Sequence, residues 1–171
     1  MQPPQLTPSP EALSKSQHFL DAVGAFMIAG VRRHNGAAVD AAIHAIDAGG
    51  KRLRPLLVYA ARPLDIAYDE WEPTGIAFGA AVELIHTATL IHDDMLDGAE
   101  MRRGRSTTHT TWNSRVATAA GDLLFACAFR MLVDTRSLVG DGTAMHAVQS
   151  LAGVARQLAE GEALQAEQSF D

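Results

Sequence analysis

No stretch of the chain alternates apolar and polar positions with period two, so the pattern predicts an all-α protein. Ser9, Pro10 and Glu11 read as an N-cap, an N1 proline and a first-turn acid, opening a helix to about Arg33. Asn35-Gly36 breaks it. A second helix covers AAVDAAIHAIDA (37–48) and stops at Gly49-Gly50, where glycine supplies a left-handed cap. A third begins near Arg54-Pro55 and covers PLLVYAA, and the segment DIAYDEWEPTG (65–75) reads as a connector. A long apolar helix then ends near Asp97. After a charged loop comes a helix from Ser114 to about Val133, then a loop at GDGT (140–143), then a last helix from about Ala144 to the end. The proline-rich first ten residues are expected to fray.

Composition narrows the picture. The chain has 171 residues, 47% of them hydrophobic and 20% charged, enough to build one domain with a buried core. A net charge of −6 argues against a general nucleic-acid binder. The most apolar segment, GIAFGAAVELIHTATLIHDDML (75–96), contains Glu83, His86 and His92, and these argue against a membrane span. The single cysteine, Cys127, cannot form an internal disulfide and reads as a small buried hydrophobe, which points to a reducing, cytoplasmic setting.

Chemistry concentrates in LIHTATLIHDDMLDGAEMRRGR (84–105). On a helix Asp93 and Asp97 are i,i+4 neighbours and Asp94 and Asp97 are i,i+3, so three carboxylates crowd the end where the macrodipole is already negative. A hard cation such as Mg²⁺, held by carboxylates and substrate phosphates, relieves both costs. A solvated helix end with local arginine pairing accounts for the same residues. Arg102, Arg103 and Arg105 can complement that end or grip phosphate oxygens in a fork. Upstream, GGKRLRP (49–55) sets Lys51, Arg52 and Arg54 at a helix start, where cations are disfavoured and anions bind. An ordinary glycine cap followed by surface charge is the plainer alternative. His86, two turns before Asp93, can reach a phosphate or be a satisfied core residue; His92 and His109 read as non-ligands.

Taken in order and spacing, GGKRLRP, ELIHTATLIHDDMLD and MRRGRSTTH resemble the first half of the trans-polyprenyl diphosphate synthases, from about residue 20 onward. The resemblance implies an all-α isoprenoid synthase-type helical bundle, a homodimer, and Mg²⁺-assisted condensation of isopentenyl diphosphate with an allylic diphosphate. It implies that Asp93, Asp94 and Asp97 hold Mg²⁺ on the allylic diphosphate, that Arg102 grips that diphosphate, and that Lys51, Arg54, His86 and Arg103 bind isopentenyl diphosphate. Gln165 falls where a later helix returns to the cavity, or is simply a helix-surface glutamine. The small Ala88 and Thr89 precede Asp93 at positions that govern chain length in the family, implying geranylgeranyl diphosphate or a longer product. The family's second aspartate-rich motif and the lysine before it do not occur in this sequence. The bundle is therefore expected to be incomplete, with residues 1–171 forming the N-terminal part of a single synthase domain that alone is inactive. A non-catalytic subunit that modulates a partner synthase is the alternative. A terpene cyclase fits less well, because it has no use for a second diphosphate site.

Overall fold

The computed structural model describes residues 9–168, with side chains through residue 165. It is an all-α bundle: α1 (Pro10–Val31), α2 (Ala37–Asp47), α3 (Leu53–Ala60), α4 (Tyr68–Leu96), α5 (Thr108–Thr111), α6 (Ser114–Asp134) and α7 (Arg136–Gln168). The fraying expected of the first ten residues lies outside the described residues for 1–8, and Ser9 and Pro10 do not fray but cap and open α1. Ser9 Oγ accepts from Ala12 N at 3.2 Å, satisfying one of the orphan donors of α1. Asn113 caps α6 in the same way, accepting from Val116 N at 2.9 Å.

α4 runs through the middle and packs most extensively against α6. Their contact buries Leu84, Ala88 and Ile91 of α4 and Ala117, Ala120, Leu124 and Ala128 of α6. Small residues let the two helices approach closely. Gly121 shows the limit, since a Cβ built there falls within 2.8 Å of His92 Cδ2. Phe19, Val23, Met27 and Val31 of α1 close another side of the core.

Three expectations need correction. The supposed connector 65–75 is helical from Tyr68, and Pro73 sits inside α4. A proline there removes the bond to the carbonyl four residues back and crowds that carbonyl with its ring. That loss is offset by an aromatic cluster in which Phe19 lies 5.3 Å from Tyr59 and 5.6 Å from Trp71. The GDGT loop is a single break at Gly140 (φ 79°), after which α7 resumes. The charged loop contains a short antiparallel hairpin, β1 (Met101–Arg102) with β2 (Arg105–Ser106), followed by α5.

Length and composition alone would let α4 and α6 cross a membrane, contrary to the reading that no segment could. In the fold, 67% of the α4 window is buried inside the bundle, as in a core helix, and 44% of the α6 window is buried.

Candidate functional site

The end of α4 feeds directly into the hairpin. Asp97 caps the helix, Gly98 turns with φ 62°, and Ala99 N returns to Asp94 O at 2.9 Å. The two-residue hairpin loop has positive φ at both positions, Arg103 at 51° and Gly104 at 76°, the backbone of a type I′ turn. Thr107 N to Glu100 O closes the hairpin at 3.0 Å. The hairpin is tied to α2, because His44 Nε2 lies 2.9 Å from Ser106 O and Arg105 Nη1 donates to Asp47 O at 2.9 Å. Arg105 thus neutralises a helix C-terminus.

The second basic segment leaves the same helix end. Gly49 (φ 68°), Gly50 (φ 147°) and Arg52 (φ 47°) turn the chain sharply from α2 into α3. Arg52 donates from Nη2 to Ile46 O at 2.7 Å and from Nη1 to Glu83 Oε1 at 3.1 Å. The two basic segments meet here: a Cβ built on Gly50 would lie 2.7 Å from Arg103 Cζ. Lys51, Arg54, His86, Arg103 and Glu83 therefore line one groove, with a volume of about 490 Å³. His86 is partly buried, and its pKa is pushed below the usual imidazole value by burial and then by Arg54, with Arg103 and Arg102 adding to the effect and Glu83 opposing it. This places four of the expected diphosphate ligands, Lys51, Arg54, His86 and Arg103, together.

The three aspartates do not share one environment. Asp94 is 5% exposed and accepts from Arg102 Nε at 2.7 Å, so Arg102 is engaged with the carboxylate expected to work beside it. Asp93 is partly buried and Asp97 is exposed. The pKa of Asp93 is raised, first by burial, then by Glu162 of α7, with Asp97 and Asp94 adding to it against Arg102. Sequence reasoning missed Glu162, whose approach depends on the path of α7. Gln165 follows it on that helix with an exposed side chain. Among the described residues no three carboxylate, imidazole or thiol groups converge as a ready-made metal cage. Crowded oxygen donors with open access still suit a hard cation that takes the rest of its ligands from water and phosphate.

Beyond the charge lies an apolar recess of about 270 Å³ lined by Val58, Phe78, Val82, Leu132, Leu151 and Val154. Positions 78, 82, 89 and 93 share one stripe of α4, which places Thr89 along the helix between the recess-lining Phe78 and Val82 and Asp93, roughly 22 Å from Phe78 at about 1.5 Å per residue. Ala88 is fully buried in the bundle core, so bulk added there meets neighbouring helices. His92 stacks on Phe125 at 6.2 Å and lies 3.9 Å from Asp122, while His109 Nδ1 is 3.2 Å from Thr107 Oγ1. Both have local partners. Burial raises the Cys127 thiol pKa.

A polyprenyl synthetase family model matches residues 37–171. The chain is 42% identical over 125 residues to a geranylfarnesyl diphosphate synthase of Aeropyrum pernix, covering 72% of this chain and 39% of that protein. It is 38% identical over 144 residues to the chloroplastic solanesyl diphosphate synthase 2 of Arabidopsis thaliana, covering 82% and 33%. Among solved structures, a polyprenyl synthase from Caulobacter crescentus CB15 complexed with calcium and isoprenyl diphosphate superposes with a TM-score of 0.77 at 38% identity, covering 93% of this chain and 45% of that one. Geranylgeranyl pyrophosphate synthetase from Pyrococcus horikoshii Ot3 gives a TM-score of 0.80 at 27% identity, covering 92% and 47%. The chain thus spans about a third to two fifths of the length of these two relatives, and under half of these two structures.

Proposed function

The chain belongs to the polyprenyl synthetase family, and from that premise we propose that it forms the diphosphate-binding wall of a trans-prenyltransferase. The reaction would join isopentenyl diphosphate to an allylic diphosphate, giving geranylgeranyl diphosphate or a longer product. The carrying observation is the meeting of two basic segments around His86, beside the carboxylate end of an apolar helix.

In the proposed reaction the allylic C–O bond breaks with its electron pair leaving on the diphosphate. The double bond of isopentenyl diphosphate attacks the resulting cation, and a proton is lost to restore a double bond. Lys51, Arg54, His86 and Arg103 hold the isopentenyl diphosphate, and Arg102 steadies the departing diphosphate. Asp93 and Asp97 would hold Mg²⁺, which when bound neutralises charge on the leaving group. Asp94 would join that set through Oδ2 while its Oδ1 orients the Arg102 guanidinium. The apolar recess past Thr89 keeps water from the cation and receives the growing chain.

In keeping with the family, the protein is read as a cytoplasmic homodimer. Phe26, Leu123 and Met131 line a recess of about 490 Å³ between α1 and α6 that supports self-association, which sedimentation would test. A single cysteine supports a reducing compartment.

Calorimetric titration distinguishes this function from a single-diphosphate enzyme and from a subunit that binds no substrate. The expected result is one isopentenyl diphosphate and one Mg²⁺-dependent allylic thiodiphosphate per chain. Lys51→Ala should weaken only the former, and Asp93→Asn only the latter. A stoichiometry of one diphosphate, or a Lys51→Ala effect confined to the allylic ligand, overturns the assignment.

A further inference from the structure

The diphosphate groove contains a carboxylate that the reaction above does not use. Glu83 is 5% exposed and lines both the open groove and the smaller recess beside it, which Asp94 and Arg102 also line. Its Oε1 accepts from Arg52, but its buried Oε2 has no hydrogen-bond partner. An acid buried against a site that must attract anions costs affinity by charge alone, and an orphaned charged oxygen costs stability. Glu83 therefore calls for a positive reason to be there.

The connectivity supplies one. Arg52 is held in a left-handed conformation that an L-residue rarely adopts. Its guanidinium spans two elements, with one nitrogen on the C-terminus of α2 at Ile46 O and the other on Glu83 of α4. Arg52 is also the residue from which α3 starts, and Leu56 N donates to its carbonyl at 3.1 Å. Lys51 and Arg54 flank it. Fixing Arg52 at both ends fixes the turn that directs these neighbours into the groove, and pairing Arg52 with Glu83 keeps its guanidinium from adding to the mutual repulsion of Lys51, Arg54 and Arg103.

We propose that Glu83 and Arg52 are a pair of positioning residues that hold the 49–54 turn and its basic side chains ready for a diphosphate. This rests on the diphosphate-site reading above and adds residues that do not touch the ligand.

Glu83→Gln separates positioning from simple charge, because the two predict opposite signs. Removing an acid makes the groove more positive, so charge alone predicts tighter binding of inorganic pyrophosphate; positioning predicts binding about tenfold weaker. Arg52→Lys keeps the charge but loses the fork, and should weaken binding to a similar degree. The double variant should be no worse than the poorer single one, because both act through one contact. Hydrogen exchange at Leu56 reads the turn without ligand: protection should fall about tenfold in either variant while amides of α6 stay unchanged. Wild-type protein that binds no pyrophosphate would sink the diphosphate-site reading, and the exchange comparison would still decide the positioning role. Should Glu83→Gln fail to fold, Arg52→Lys carries the test. A folded variant with wild-type affinity and unchanged Leu56 protection overturns the proposal.

Discussion

Gly50→Ala tests the junction on which the site depends. At this position φ is 147°, and an added methyl would lie 2.7 Å from Cζ of Arg103 and closer still to Nη1. Two effects follow and can be separated. Backbone strain from a side chain at positive φ costs about 1–2 kcal/mol, which lowers Tm by about 2–8 °C in a chain of this size. The clash falls on the end of a flexible side chain, so the guanidinium moves and the backbone stays. Arg103 then leaves the groove it shares with Lys51, Arg54 and His86. Losing one charge-assisted contact to phosphate costs about 1.5–3 kcal/mol, which is roughly a 10- to 100-fold rise in Kd. The assay is calorimetric titration with isopentenyl diphosphate on four proteins: wild type, Gly50→Ala, Arg103→Ala and the double variant. If Gly50 acts by making room for Arg103, alanine at 50 adds little in the Arg103→Ala background, a coupling of about 1 kcal/mol or more. The Tm loss should persist in both backgrounds, because strain does not depend on residue 103. A Gly50→Ala protein with lowered Tm and wild-type affinity would refute the reasoning, because the two loops would then not share the groove.

Ala88→Phe should lower Tm by overpacking, at a cost of about 1–3 kcal/mol, whereas Thr89→Phe should leave Tm nearly unchanged and, in an enzyme completed with the rest of the synthase domain, shorten the prenyl product, as thermal melts and product chromatography would show. His86 has a folded pKa below its unfolded value near 6.5, so the unfolded chain takes up the proton first and stability falls as pH drops from about 6.5. His86→Gln should flatten that part of a pH series of denaturant melts; an unchanged slope would place the titration elsewhere. Arg105→Gln removes the donor to Asp47 O at 2.9 Å, and should cost about 0.5–1.5 kcal/mol in stability with at most a few-fold loss of diphosphate affinity. A loss as large as that of Arg103→Ala would make Arg105 a direct ligand.

Much of the site was legible because its parts are local. Asp93, Asp94 and Asp97 lie within two helical turns, and helical spacing alone crowds them. Sequence also suffices to place glycines before Lys51 and basic residues after Asp97, because positive φ and helix-end electrostatics are properties of a few neighbouring residues. The unequal fates of the aspartates were not legible. Asp94 is buried because it lies in the last turn of α4 beneath Arg102 of the hairpin, whereas Asp97 is the cap past that turn and stays exposed, and that depends on what packs against the helix end.

By itself the sequence determined an all-α chain, the helix starts at Ser9 and Ser114, the breaks at Asn35-Gly36 and Gly49-Gly50, and the motif set that marks the family. Each is written in short-range terms: a cap, a φ preference, a spacing. Tertiary structure alone decided that 68–75 is helix, since the aromatic packing of Trp71 on Phe19 outweighs an internal proline. It also buried Ala88 in the core while leaving Thr89 partly exposed, brought Arg103 against Gly50, and made Glu83 and Arg52 a brace. Those outcomes join residues far apart in the chain. Their energies come from burial and close contact, which no window of the sequence contains until the helices have packed.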